Sequence, residues 1–94
     1  MRKDSYYMLA FDSTHQAIRA QRLLKPVLPI CVMPTLRAVQ AGCGISLRIE
    51  EADFATLQQA LHRIGETDWR LYAIQGDRVQ KIIDIHAEET KDNR

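Results

Sequence analysis

The stretch YYMLAFDSTHQAIRAQRLL, residues 6–24, decides how the rest of the chain is read. Tyr6 to Phe11 is a short run of aromatic and aliphatic residues, the composition of a buried strand. Ser13 then stands as a helix N-cap, with Gln16 three positions on in capping-box spacing. Ala17, Ala20 and Leu24 share one face of the helix that follows, flanked by Ile18 and Leu23, so the helix packs along that side. Pro26 and Pro29 end it, because proline offers no N–H to the helical ladder. A strand passing into a helix within two residues opens a β-α unit, and the rest of the chain shows whether the unit is repeated.

Ile30 to Met33 is a second short strand, halted at Pro34. The segment from Thr35 to Gly44, TLRAVQAGCG, differs in character, with two glycines bracketing Cys43. Ile45, Leu47 and Ile49 alternate with Ser46 and Arg48, the pattern of a strand buried on one side. Phe54, Leu57, Leu61 and Ile64 recur at helical spacing, and Gly65 is placed as the stop. Glu50, Glu51, Asp53 and Arg63 read as the solvated side of that region. Trp69 to Ile74 is the fourth strand. Strand, helix, strand, strand, helix, strand predicts an α+β fold: a ferredoxin-like βαββαβ sandwich with both helices on one face, occupying residues 1–76 as a single domain.

Residues 77–94 form a C-terminal extension that can be read two ways. Asp77 can cap a helix with Val79, Ile82, Ile83 and His86 on one face and Gln80 completing a second capping box. The same residues can instead hairpin back at Gly76-Asp77 as a strand. The helix is favoured over the strand, and the polar residues after Glu88 are expected to fray.

Composition narrows the classes of function. Ninety-four residues, 46% of them hydrophobic, support one small core. No apolar run approaches the roughly 20 residues that span a bilayer. The apolar run after Arg2 and Lys3 is cut short by Asp12, so no signal peptide is expected and the chain reads as cytoplasmic. Thirteen basic residues against twelve acidic ones remove the electrostatic case for nucleic acid. The third strand, ISLRIE, also lacks the aromatic residues on which RNA-binding sheets of this outline stack bases. There is no GxGxxG, no GxxxxGK and no His-Glu-x-x-His. His62 and His86 have no ligand spacing with each other or with a cysteine, so neither a metal nor a cofactor is expected.

Two cysteines remain. Cys31 lies between Ile30 and Val32 in a strand and is expected to be core packing. Cys43 has the stronger claim to chemistry. In a βαββαβ fold the first and third strands are central, adjacent and antiparallel, so Asp12, Ser13, Thr14 and His15 should meet Cys43 at one end of the sheet. Helix N-terminal N–H groups carry partial positive charge and favour the thiolate, the reactive form. Gly42 and Gly44 are expected to let the backbone bend and leave the sulfur uncovered. Arg37 and His15 add positive charge within reach. The simpler alternatives stand beside each assignment: a free cysteine is often a small buried hydrophobe, Ser13 is first of all a cap, His15 a solvent-facing first-turn residue and Arg37 a solvated loop charge. Ser13, His15 and Asp12 are sequential and cannot converge as a catalytic triad.

The residues FDSTHQAIRAQRLLK and, after a short strand, PTLRAVQAGCGISLRI resemble the small bacterial and archaeal domains of the selenium/sulfur carrier protein-like family. Members have a strand ending in Phe-x-Ser-Thr, a helix with alanines and a leucine pair, then Pro-x-Pro-Arg and a Cys-Gly before the third strand. The matching positions are Phe11, Ser13, Thr14, Ala17, Leu23, Leu24, Pro34, Arg37, Cys43 and Gly44, within a resemblance that runs from Tyr7 to Ile74. Leu36 stands where the pattern has its second proline, and Val39-Gln40-Ala41-Gly42 replaces a serine-rich stretch. The resemblance implies sulfur or selenium handling. Cys43 would accept a persulfide or selenosulfide from a donor protein and pass it to an acceptor, with Ser13, Thr14, His15, Arg37 and Gly44 steadying the anion. That makes the chain a covalent carrier more than an enzyme. The alternative is a non-catalytic interaction or ligand-sensing module, homodimeric in one form of that reading. A thiol oxidoreductase ranks third, since no resolving cysteine is evident.

Overall fold

The structure is a computed structural model that describes residues 5–39, 42–50, 54–65 and 68–85. Glu51, Asp53, Gln40, Ala41, His86 and the residues after Glu88, all used in the sequence reading, lie outside the described residues. The expected strands and helices form in the expected order: β1 (Ser5–Phe11), α1 (Thr14–Leu24), β2 (Ile30–Pro34), β3 (Ile45–Ile49), α2 (Phe54–Leu61) and β4 (Trp69–Gln75). A 3₁₀ turn, His62–Ile64, tightens the end of α2, and Gly65 stops it at a left-handed φ of 70°.

Ser13 is the N-cap of α1, with extended backbone and a side-chain oxygen accepting the Gln16 N–H at 3.2 Å. Only that half of the capping box forms, because Gln16 Oε1 accepts no hydrogen bond. Ala17, Ala20 and Leu24 are the buried residues of α1, as their spacing predicts, while Ile18 faces outward.

The sheet is antiparallel throughout, in the order β2-β3-β1-β4-β5. β5 (Arg78–Ile85) overturns the helix favoured for the extension. Gly76, at φ 56°, makes the turn with Asp77, and Gln75 pairs with Arg78 across it. Val79, Ile82 and Ile83 satisfy helical spacing, but β4 would otherwise present a row of unpaired N–H and C=O groups at the sheet edge. Pairing with that edge outweighed local pattern. The ladder slips between Leu71 and Tyr72, whose partners are Ile83 and Lys81, so Ile82 is passed over as a bulge.

Both helices cover one face, where Leu9, Phe11, Leu47, Ile49, Trp69 and Leu71 pack with the buried residues of α1 and α2. The other face is not simply solvated. Met8, Ala10, Val39, Tyr72 and Ile74 are buried there, with Leu36 and Met33 against them, so the chain that leaves β2, as far as Val39, lies across the helix-free face. Burying a side chain such as Val39 contributes about 1.5–3 kcal/mol relative to leaving it exposed. That cover explains Ser46, which alternation assigned to solvent and which is fully buried. Cys31 departs the other way: it is exposed. Among the described residues β2 has a strand neighbour on one side only, and Cys31 lies opposite Arg48 on the helix-free face. Among the described residues no helix is long and apolar enough to cross a membrane.

Candidate functional site

Three segments meet at one end of the sheet: the β1–α1 junction, Thr35 just after β2, and Gly42–Ser46 at the start of β3. The Cys43 N–H donates to the Phe11 carbonyl at 3.1 Å, which carries the β3 chain alongside β1 beyond the last ladder pair, Ala10 with Ser46. Gly42 comes so close to the junction that a Cβ there would sit 2.4 Å from the Asp12 carbonyl oxygen. No side chain fits in that gap. Thr35 clasps the same segment from the other side. Its N–H donates to the Gly44 carbonyl at 2.9 Å and its hydroxyl to the Cys43 carbonyl at 3.1 Å. Having spent its proton there, Thr35 Oγ1 accepts from the Ser46 hydroxyl at 2.7 Å.

The Cys43 sulfur lies 3.4 Å from the Thr14 hydroxyl and 3.4 Å from the Ile45 N–H, which donates to it. Thr14 opens the first turn of α1. A thiolate would accept from both groups, and hydrogen bonds to the charged form favour that form. The expected meeting of the β1–α1 junction with Cys43 is therefore present, carried by Phe11, Asp12 and Thr14.

The other anticipated residues divide. Ser13 is engaged as the α1 cap. Gly44 contributes its carbonyl to Thr35. His15 and Arg37 are exposed, and none of the described hydrogen bonds or ion pairs joins either to Cys43. The expectation that the glycines leave the sulfur uncovered is corrected: Cys43 is 2% exposed and belongs to the helix-side core. Gly42 is required by the close approach of the Asp12 carbonyl, not by exposure of the sulfur. Cys31 and Cys43 lie on opposite faces of the sheet, so the two thiols form no dithiol centre. Brief iodoacetamide treatment of the native protein is accordingly expected to modify Cys31 and spare Cys43, as read by peptide mass mapping; equal modification of both would contradict the burial.

Beside the site, Arg70 on β4 reaches Asp12 at 2.8 Å, with the Arg70 side chain 10% exposed and that of Asp12 40%. Burial works against the Arg70 charge, but the hydrogen bond and charge of Asp12 outweigh it and hold the guanidinium above its ordinary value. The pair fixes the residue against which Gly42 packs. The sequence reading missed Arg70, Thr35 and Ser46. Arg70 carried a signal, as the one charge inside the apolar strand WRLYAI. Thr35 and Ser46 carried none, because a small hydroxyl residue in a loop or strand is ordinary.

A sequence model of a family described as "Putative Se/S carrier protein-like" matches residues 6–73, more than half of the chain. No curated protein and no solved structure matches it.

Proposed function

The chain belongs to the Se/S carrier protein-like family, and from that premise we propose that Cys43 is the atom-carrying thiol of a sulfur or selenium relay. The Cys43 thiolate attacks the outer sulfur of a donor protein's persulfide. A bond forms from Sγ to that sulfur as the donor's S–S bond breaks, the donor leaves as its thiolate, and Cys43 holds the persulfide. The exchange is redox-neutral and needs no cofactor; selenium would travel the same way as a selenosulfide. An acceptor's thiolate then takes the outer atom and Cys43 is regenerated, so the chain acts as a covalent intermediate in the cytoplasm and not as an enzyme with its own small substrate.

The observation that carries this reading is the pair of hydrogen-bonding groups at the sulfur, the Thr14 hydroxyl and the Ile45 N–H, each at 3.4 Å. They suit a sulfur anion. Ser13 supports it indirectly by holding the first turn of α1, and Gly44 through its bond to Thr35. His15 and Arg37 are exposed on the solvent side, and the part of the Arg37 guanidinium would be to draw an anionic donor group toward the site.

To test it, the Cys31→Ser protein is incubated with a low-molecular-weight persulfide and followed by intact mass. The expected result is a gain of one sulfur atom, reversed by dithiothreitol and abolished by Cys43→Ser. No gain, or a gain that survives Cys43→Ser, sinks the proposal. One observation favours a second reading, a non-catalytic interaction module: the burial of Cys43 in the core. In that case Cys43→Ala is tolerated and no persulfide forms.

A further inference from the structure

A thiol that exchanges sulfur has to be reached, and Cys43 is 2% exposed. The chain around it shows how it becomes reachable. Cys43 precedes Ile45, the first residue of β3 in the sheet ladder, where it pairs with Pro34. Freeing residues 42–44 therefore unzips none of the β2-β3-β1 pairing. What holds them is a short set of tethers. Cys43 donates to Phe11, its sulfur meets the Thr14 hydroxyl and packs in the helix-side core, and Thr35 makes two bonds, one to the Gly44 carbonyl and one to the Cys43 carbonyl. On the helix-free face, Val39 is buried and Leu36 packs against the same cluster of Met8, Ala10 and Tyr72. The Val39 N–H closes a turn onto the Leu36 carbonyl, so the two apolar residues seat together.

Resting on the reading of Cys43 as the carrier thiol, we propose that residues 35–39, which follow β2, are a latch that sets access to Cys43, with Thr35 as its catch and Leu36 and Val39 as its seat. When the seat lifts from the helix-free face and Thr35 releases the Cys43 and Gly44 carbonyls, the segment 42–44 swings from the β1–α1 junction and presents the sulfur. When the latch closes, a sulfur atom on Cys43 is withdrawn from thiols in solution. The movement draws on local opening, for which segments with few tethers and no ladder pairing are suited. Thr35 is a positioning residue here: it touches the backbone of Cys43 and not its sulfur.

The experiment is the rate of iodoacetamide alkylation of Cys43 in the Cys31→Ser background, read by intact mass in water and at sub-denaturing urea. Sulfur donors are absent, so failure of the carrier reading leaves this result untouched, and failure of the latch leaves persulfide formation untouched. Thr35→Val removes the catch and is expected to raise the rate about tenfold. Thr35→Ser restores the hydroxyl and the slow rate. Leu36→Ala, which loosens the seat, is expected to act in the same direction as Thr35→Val. Leu24→Ala provides the control: Leu24 is buried ten residues from Thr14 along α1, about 15 Å away. It lowers global stability yet leaves the alkylation rate in water unchanged, and that rate depends only weakly on urea. If Leu24→Ala accelerates labelling as much as Thr35→Val, with a steep urea dependence in every variant, Cys43 is exposed by global unfolding alone and the latch is overturned.

Discussion

Gly42→Ala is expected to lower the stability of the fold by about 3 kcal/mol, at the upper end of overpacking penalties. The added carbon would lie 2.4 Å from the Asp12 carbonyl oxygen. That atom is main chain and cannot rotate aside. Asp12 is also held by Arg70, and the adjoining Cys43 N–H is bonded to Phe11, so neither wall of the gap is free to retreat. Gly44→Ala is the contrast: a Cβ there meets nothing within 4 Å, and Gly44 does not adopt positive φ. It is expected to be neutral or stabilising by up to about 1 kcal/mol through the unfolded chain. Urea unfolding midpoints of the two variants check this. Equal midpoints would mean that the junction yields and that the close approach does not constrain the site.

Asp12→Ala is expected to cost about 2 kcal/mol. Breaking a buried ion pair by removing one partner costs roughly 3–5 kcal/mol, and the figure is reduced here because the Asp12 carboxylate is 40% exposed and screened by solvent. Arg70→Met is expected to cost less than Asp12→Ala. It removes the buried charge itself and leaves behind a carboxylate that water can solvate, whereas Asp12→Ala leaves the buried guanidinium without its carboxylate, with Tyr72 as a weaker partner. The double variant should therefore resemble Arg70→Met. Chemical denaturation of the three proteins gives the cycle directly; equal losses from the two single variants would show that burial of Arg70 is not what makes the pair matter.

Local pattern made much of the fold legible. β1, α1, β3 and β4 are each announced by a run, a cap or an alternation, and α2 by apolar recurrence and Gly65. The meeting of Cys43 with the β1–α1 junction followed from topology, because antiparallel neighbours place the end of one strand beside the start of the next. The extension was the failure. Val79, Ile82 and Ile83 fit a helix face as well as a strand with a bulge, and the vacant edge of β4 decided between them. Cys31 was misread for a related reason: its apolar neighbours describe a strand, but exposure depends on whether that strand lies at the edge.

The sequence by itself determined the α+β order, the cap on α1, the central place of β1 and β3 and the choice of Cys43 as the thiol of interest, since each rests on residues near one another in the chain or on strand adjacency. Tertiary structure alone decided that this thiol is enclosed, that Cys31 is the open one and that Thr35, Ser46 and Arg70 surround the site. Those properties belong to surfaces assembled from distant segments. A glycine's fit against Asp12, or a loop's seat on Met8 and Tyr72, depends on atoms that spacing along the chain does not bring together.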